Sequence, residues 1–127
     1  MAAPKTSYRI ESTMAIDFDD SKENLRRITI TGRLDIQGTD EIATKFAALA
    51  ASAQRRVVVD LTAVSFLASI GMRAIIGNAK AVQQRGGKMV LLVDDDSTVL
   101  KTLEITGIAD MIPMFTDAGE AEAAALA

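Results

Sequence analysis

Five consecutive residues, Val57-Val58-Val59-Asp60-Leu61, restrict this chain more than any other segment. A β-branched run without alternation is expected of a strand buried on both faces, the situation of a parallel sheet covered by helices. The run passes through Thr62-Ala63-Val64-Ser65-Phe66-Leu67-Ala68 into Ser69-Ile70-Gly71-Met72-Arg73. From there Met72, Ile75, Ile76, Ala79 and Val82 recur at helical spacing, which predicts a helix over Ser69–Arg85. A serine where a helix begins stands beside unpaired N–H groups and the positive end of the macrodipole. Such a place tolerates or attracts an added anion.

The flanking sequence supplies the remaining elements. Tyr8, Ile10, Met14 and Ile16 alternate, which predicts a first strand over Tyr8–Ile16 with a break near Ser12. The acidic stretch Asp17–Asn24 reads as a loop, and Leu25–Thr31 as a second strand ended by Gly32. The period then changes. Ile42, Phe46, Leu49, Ala50 and Ala53 form a helical stripe, with Thr39 as N-cap, Asp40 and Glu41 at the positive end, and Arg55 and Arg56 at the negative end. Gly77, inside the next helix, costs about 1 kcal/mol relative to alanine, so a close packing neighbour is expected there. Met89–Val93 is another buried strand after the Gly86-Gly87 turn. Val99, Leu100 and Leu103 pattern a short helix that Gly107 caps, and Met114-Phe115 a brief edge strand. Asp117 and Glu120 have capping-box spacing before an alanine-rich last helix.

The order β-β-α-β-α-β-α-β-α implies an α/β fold with a mostly parallel sheet, and the expected sheet is mixed and four- to five-stranded, with helices largely on one face. The 127 residues suit a single domain spanning 1–127. Val58, Leu61, Phe66, Ile75, Ile76, Leu91 and Leu103 are the expected core.

Composition narrows the chemistry. With no cysteine and no histidine, disulfides, thiol chemistry, Cys/His zinc sites and Ser-His catalysis all fall away. A net charge of −3 argues against a phosphate-backbone binder, so nucleic acid is not an expected partner. No apolar run approaches the ~20 residues of a membrane span, and Met1–Ser7 lacks the apolar core of a signal peptide. A cytoplasmic protein without membrane insertion is expected, with no cofactor and no metal. Met89–Val93 followed by Asp94-Asp95-Asp96 looks like the opening strand and acidic pair of a receiver domain, but too little chain follows to complete such a site. The triplet is better read as a strand end leading into the third helix, with Asp96 or Ser97 as cap.

The central segment resembles the core motif of the STAS domain, in its branch of bacterial anti-sigma factor antagonists. Members read as an apolar strand, Asp-Leu, a few residues, then Asp-Ser-Ser/Thr-Gly-Leu-Gly opening a helix. Asp60-Leu61, Val64-Ser65-Phe66-Leu67, Ser69 and Gly71 match. Ala68 stands where the family usually has aspartate, Ile70 where it has Ser or Thr, and Arg73 where it often has the second glycine. Thr31-Gly32-Arg33-Leu34-Asp35 looks like the family's Gly-Arg-Leu-Asp turn, and Arg85-Gly86-Gly87-Lys88 like its glycine turn before the fourth strand.

The resemblance implies a STAS fold and a partner-switching role. In that role the unphosphorylated protein binds an anti-sigma factor that is a serine kinase. Phosphorylation at Ser69 releases it, and a serine phosphatase restores the first state. Read without the family, Ser69 would be an ordinary N-cap. The resemblance makes it the phosphoacceptor, and implies partner contact for Asp35, Ala68, Ile70, Gly71, Met72 and Arg73. Asp35 reads equally as a turn residue. Arg73, four residues after Ser69, could pair with a phosphate, although a solvated arginine is the plainer reading.

Two other functions compete. One is a STAS regulatory subunit of a membrane transport system without phospho-switching, which the missing aspartate at Ala68 slightly favours. The other is a small hydrolase using Ser69, which would need a lysine or carboxylate base in the absence of histidine. The expected protein is a substrate and binding module, not an enzyme.

Overall fold

The computed structural model describes residues 14–52 and 56–127. Strand β1 (Ala15–Lys22) pairs antiparallel with β2 (Leu25–Leu34) across a tight turn in which Asn24 has φ 62°. Helix α1 (Ile36–Ser52), strand β3 (Arg56–Leu67), helix α2 (Ser69–Gln84) and strand β4 (Lys88–Leu92) follow. Helix α3 (Thr98–Thr106), a 3-10 turn (Ile108–Asp110), strand β5 (Met114–Phe115) and helix α4 (Ala118–Leu126) complete the chain. The sheet order is β1-β2-β3-β4-β5, parallel from β2 onward, as the alternation of patterns implies.

Both faces of β3 are covered, which accounts for its unbroken valine run. Val57, Val59 and Leu61 point to one side, where Ile42 and Phe46 of α1, Ile75 and Ala79 of α2 and Leu103 of α3 close the main core. Val58 points to the other, where it meets Leu25, Val90, Leu92 and the fully buried Ala121 and Ala125 of α4. Alanine suits that second layer because a helix without bulky side chains approaches the sheet closely. Among the described residues, three helices thus share one face and α4 takes the opposite one.

Several boundaries depart from the sequence expectations. Tyr8–Thr13, Ala53 and Arg55 lie outside the described residues, and Arg56 begins β3. Asp17–Lys22, expected as a loop, belongs to β1. An edge strand needs only backbone pairing on one side, and charged side chains along it deter pairing with other chains. Phe18 is half exposed there, with the Arg26 guanidinium 4.6 Å from its ring centroid. Helix α1 begins at Ile36 instead of after Thr39, because Asp35 is the cap: its Oδ1 accepts the Gly38 N–H at 2.8 Å. Gly77 has open space around it, with nothing within 4 Å of a Cβ placed there. The close neighbour expected for it is not found among the described residues. Of the expected core, Val58, Leu61, Ile75, Leu91 and Leu103 are buried, Ile76 is partly buried, and Phe66 is 40% exposed.

Phe66 is exposed because β3 does not stop at Leu61. Its register against β2 slips twice, between the pairs Thr29↔Asp60 and Thr31↔Ala63 and again between Gly32↔Val64 and Arg33↔Phe66. Each slip inserts a residue and rotates the strand, so that Val64 and Leu67 face the core while Ser65 and Phe66 face out. Asp60 secures the first slip. Its Oδ1 accepts the Thr62 N–H at 2.9 Å and the Thr62 hydroxyl at 2.6 Å, and its Oδ2 accepts Arg27 Nη2 at 2.7 Å. Arg27 and Lys22 also reach Glu122, which ties α4 to the same strands.

Burial alone would raise the Asp60 pKa. The Thr62 hydroxyl, the Arg27 guanidinium and the Thr62 N–H outweigh it, so the carboxyl titrates below its ordinary value. A lowered folded-state pKa gives stability that is present above the unfolded pKa, about 3.9, and is lost as pH falls through the folded value. Urea denaturation between about pH 7 and pH 3 should therefore show wild type losing stability at the acid end. Asp60→Asn should be less stable at neutral pH, with a flatter acid limb.

Candidate functional site

The parallel strands deliver their following loops to one end of the sheet, where α/β folds assemble their sites. Leu34 and Leu67, the last residues of β2 and β3, are paired, and the Ala68 N–H donates to the Leu34 carbonyl at 2.9 Å. That bond joins the two loops at the base. Immediately after it, Gly71 meets the same pair: a Cβ there would lie 2.9 Å from Leu34 Cβ, 2.9 Å from Leu67 Cδ1 and 3.0 Å from the Leu34 carbonyl oxygen. Only a hydrogen at this position lets α2 descend onto the strand ends.

This seating fixes the rest of the site. Ala68, extended at φ −89° and ψ 168°, is the N-cap of α2, and no side chain caps the helix. Its carbonyl accepts the Met72 N–H at 3.1 Å. Ser69 is the first helical residue and is exposed, so the plain reading of this serine as an N-cap fails. The first-turn N–H groups keep their positive potential unneutralised by any acidic residue in that turn.

The same end of the sheet exposes apolar side chains. Ile36 is 74% exposed, and Ile70 and Phe66 are exposed as well. The Arg33 guanidinium lies 4.4 Å from the Phe66 ring centroid and its Nε 3.5 Å from Asp35 Oδ2, which links the loop before α1 to the end of β3. The Gly38 N–H, with Arg33 adding to it, holds the Asp35 carboxyl below its usual pKa, so it is ionised at neutral pH. Gly38 is itself obligatory, since a Cβ there would fall 1.9 Å from the Arg33 carbonyl oxygen.

Two open grooves flank α2. One, about 500 Å³, runs between α1 and α2 over Ile36, Ala43, Ile70 and Ala74, with Asp40 and Arg73 beside it. Thr39 lines it too, its buried Oγ1 without a hydrogen-bond partner among the described residues. The other, about 490 Å³, lies between Ser69, Met72 and Arg73 of α2 and the Thr106–Met111 segment. Arg73 borders both.

Of the residues singled out in the sequence, Ser69, Ile70, Met72, Arg73 and Asp35 do gather at this end, Met72 half-buried against the core. Gly71 does not belong to the exposed surface; it is buried and acts by permitting contact. Ala68 is half-buried with its backbone engaged. The groove wall formed by Thr106–Met111, the stacking of Arg33 on Phe66 and the role of Gly38 were not anticipated, although Gly38 three residues after a capping aspartate was a readable signal. Among the described residues, no group of three or more acidic side chains is placed to hold a metal ion, and Asp94 and Asp95 stand exposed beyond β4.

The sequence profile of the STAS domain matches residues 20–121 of this chain. The chain belongs to the STAS domain family. Within it, BtrV of Bordetella bronchiseptica, provisionally named an anti-sigma factor antagonist, is 30% identical over 98 residues, 77% of this chain and 81% of BtrV. That relationship puts this STAS domain among the anti-sigma factor antagonists. The solved structure of an anti-sigma factor antagonist from Mycobacterium paratuberculosis shares the fold with a TM-score of 0.78 at 19% identity, over 89% of this chain and 94% of that one. SpoIIAA of Bacillus, solved in its phosphorylated form, gives a TM-score of 0.62 at 17% identity, over 87% of this chain and 99% of that one.

The seating of α2 makes opposite demands on its two glycines. Gly71→Ala should cost about 1–3 kcal/mol through overpacking at Leu34 and Leu67. Gly77→Ala, in open space, should stabilise by about 0.5–1 kcal/mol through helix propensity. Paired denaturant melts of the two variants against wild type check both signs.

Proposed function

We propose that this STAS domain works by partner switching, as a substrate and binding module without catalysis of its own. Unphosphorylated, it binds an anti-sigma factor that is a serine kinase. Phosphorylation of Ser69 breaks the complex, and a serine phosphatase returns the protein to the binding form. The observation that carries this reading is the exposed Ser69 hydroxyl at the start of α2, beside exposed Ile70 and at the same end of the sheet as exposed Ile36 and Phe66.

The physics of the site supports such a switch. Apolar side chains beside a hydroxyl offer a surface that a partner can cover and desolvate. A phosphate at Ser69 brings about −1.5 to −2 charges, and the helix N-terminus accommodates them without unfolding. The same charge within a covered apolar contact loses its hydration, and a partner that leaves it unpaired is expelled. The fold is thus indifferent to the modification while the interface is not. The phosphorylated state known for SpoIIAA agrees with this reading of a protein of the same fold.

Binding of the anti-sigma factor to wild type, Ser69→Ala and Ser69→Asp tests it by calorimetry. Ser69→Ala should bind as wild type does but resist release by ATP. Ser69→Asp should bind at least about tenfold more weakly, roughly 1.4 kcal/mol. Equal affinity of Ser69→Asp and wild type would show that charge at Ser69 is not the switch.

A further inference from the structure

We propose that Arg73 is the intramolecular receptor for a phosphate on Ser69, so that modification also withdraws a cation from the groove between α1 and α2. The inference rests on Ser69 being the modified residue. The two positions are four apart in one helix, about 6 Å along the axis and on the same side. Long side chains in a helix lean toward its N-terminus, which carries the Arg73 guanidinium back over the turn that begins with Ser69.

Arg73 is also available. Arg26 is held by Asp20, Arg27 by Asp60 and Arg33 by Asp35 and the Phe66 ring, whereas exposed Arg73 has no ion pair among the described residues. It borders both grooves, with Asp40 of α1 in one and Asp110 of the 3-10 turn in the other. Neither carboxylate lies within ion-pair distance of it. Ser69 shares the groove of Asp110. A phosphate dianion on Ser69 therefore draws Arg73 to that side, since it offers the guanidinium about twice a carboxylate's charge and three acceptor oxygens. The α1–α2 groove, with its exposed Ile36 and Ile70, then loses the one cationic side chain among its described lining residues. Release becomes more than repulsion: the charge added on one side of α2 removes a partner's counter-charge on the other.

Phosphoserine encoded in place of Ser69 allows a test without any kinase. Phosphorus NMR titration gives the second pKa of the phosphate in the otherwise wild-type chain and in Arg73→Gln, Arg73→Lys and Arg85→Gln backgrounds. Removing the receptor in Arg73→Gln should raise that pKa by about half a unit, roughly threefold in the dissociation constant. Arg73→Lys should fall between, and Arg85→Gln, an exposed cation at the far end of α2, should leave the value unchanged. Asp110 is common to all four chains, so its opposing field cancels in the comparison. An unchanged value in Arg73→Gln, or an equal rise in Arg85→Gln, overturns the proposal. A chain that binds its partner equally with serine or phosphoserine at position 69 would defeat the switching function while leaving this pairing supported.

Discussion

The site depends on one close contact, where Gly71 of α2 rests against Leu34 and Leu67 at the paired ends of β2 and β3. A side chain as small as a methyl group would lift the helix from the strands. The Ala68 N–H bond to the Leu34 carbonyl completes the clasp. Because both strands end at the clasp, the direction and height of α2 are set before any surface residue is considered. Ser69 is then exposed by necessity, since the residue two positions later must face inward.

What carries the chain to that clasp is the irregular second half of β3. A regular strand of this length would alternate, and Val64 and Leu67 could not both face the core. The two register slips solve that geometry, and the first leaves a bent backbone whose polar groups need partners. Asp60 supplies them through Thr62, while Arg27 compensates its charge. Thus the Asp-Leu pair of the family pattern acts at a distance from the site, as the anchor of the strand that leads to it. The second layer, α4, is attached by the same ionic cluster and by two buried alanines, which leaves the Ser69 end of the sheet free of it.

Much of this was legible in the sequence where packing and periodicity agree. The valine run, the α2 stripe, the Ser97 and Asp117 caps and the Gly107 terminus follow local rules that tertiary structure did not override. Ser69 was placed at a helix start, but the cap proved to be Ala68, a residue with nothing to cap with. Phe66 was assigned to the core because an aromatic in an apolar strand usually belongs there, and strand slips leave no compositional trace. Asp17–Lys22 looked too acidic for a strand, because pairing at an edge is a backbone property that side-chain patterning records poorly. Gly77 shows the opposite failure: a helix glycine invites a packing explanation, and none of the described residues supplies one.

The central claim is that charge added at Ser69 changes a surface and leaves the fold as it is. Amide NMR spectra of the chain with serine and with encoded phosphoserine at position 69 test this directly. The account predicts shifts confined to Asp35–Asp40, Ala68–Arg73 and Thr106–Met111, with the signals of β4, α4 and the main core unmoved. Shifts spreading through the β3–β4 core, or loss of the folded spectrum, would contradict it.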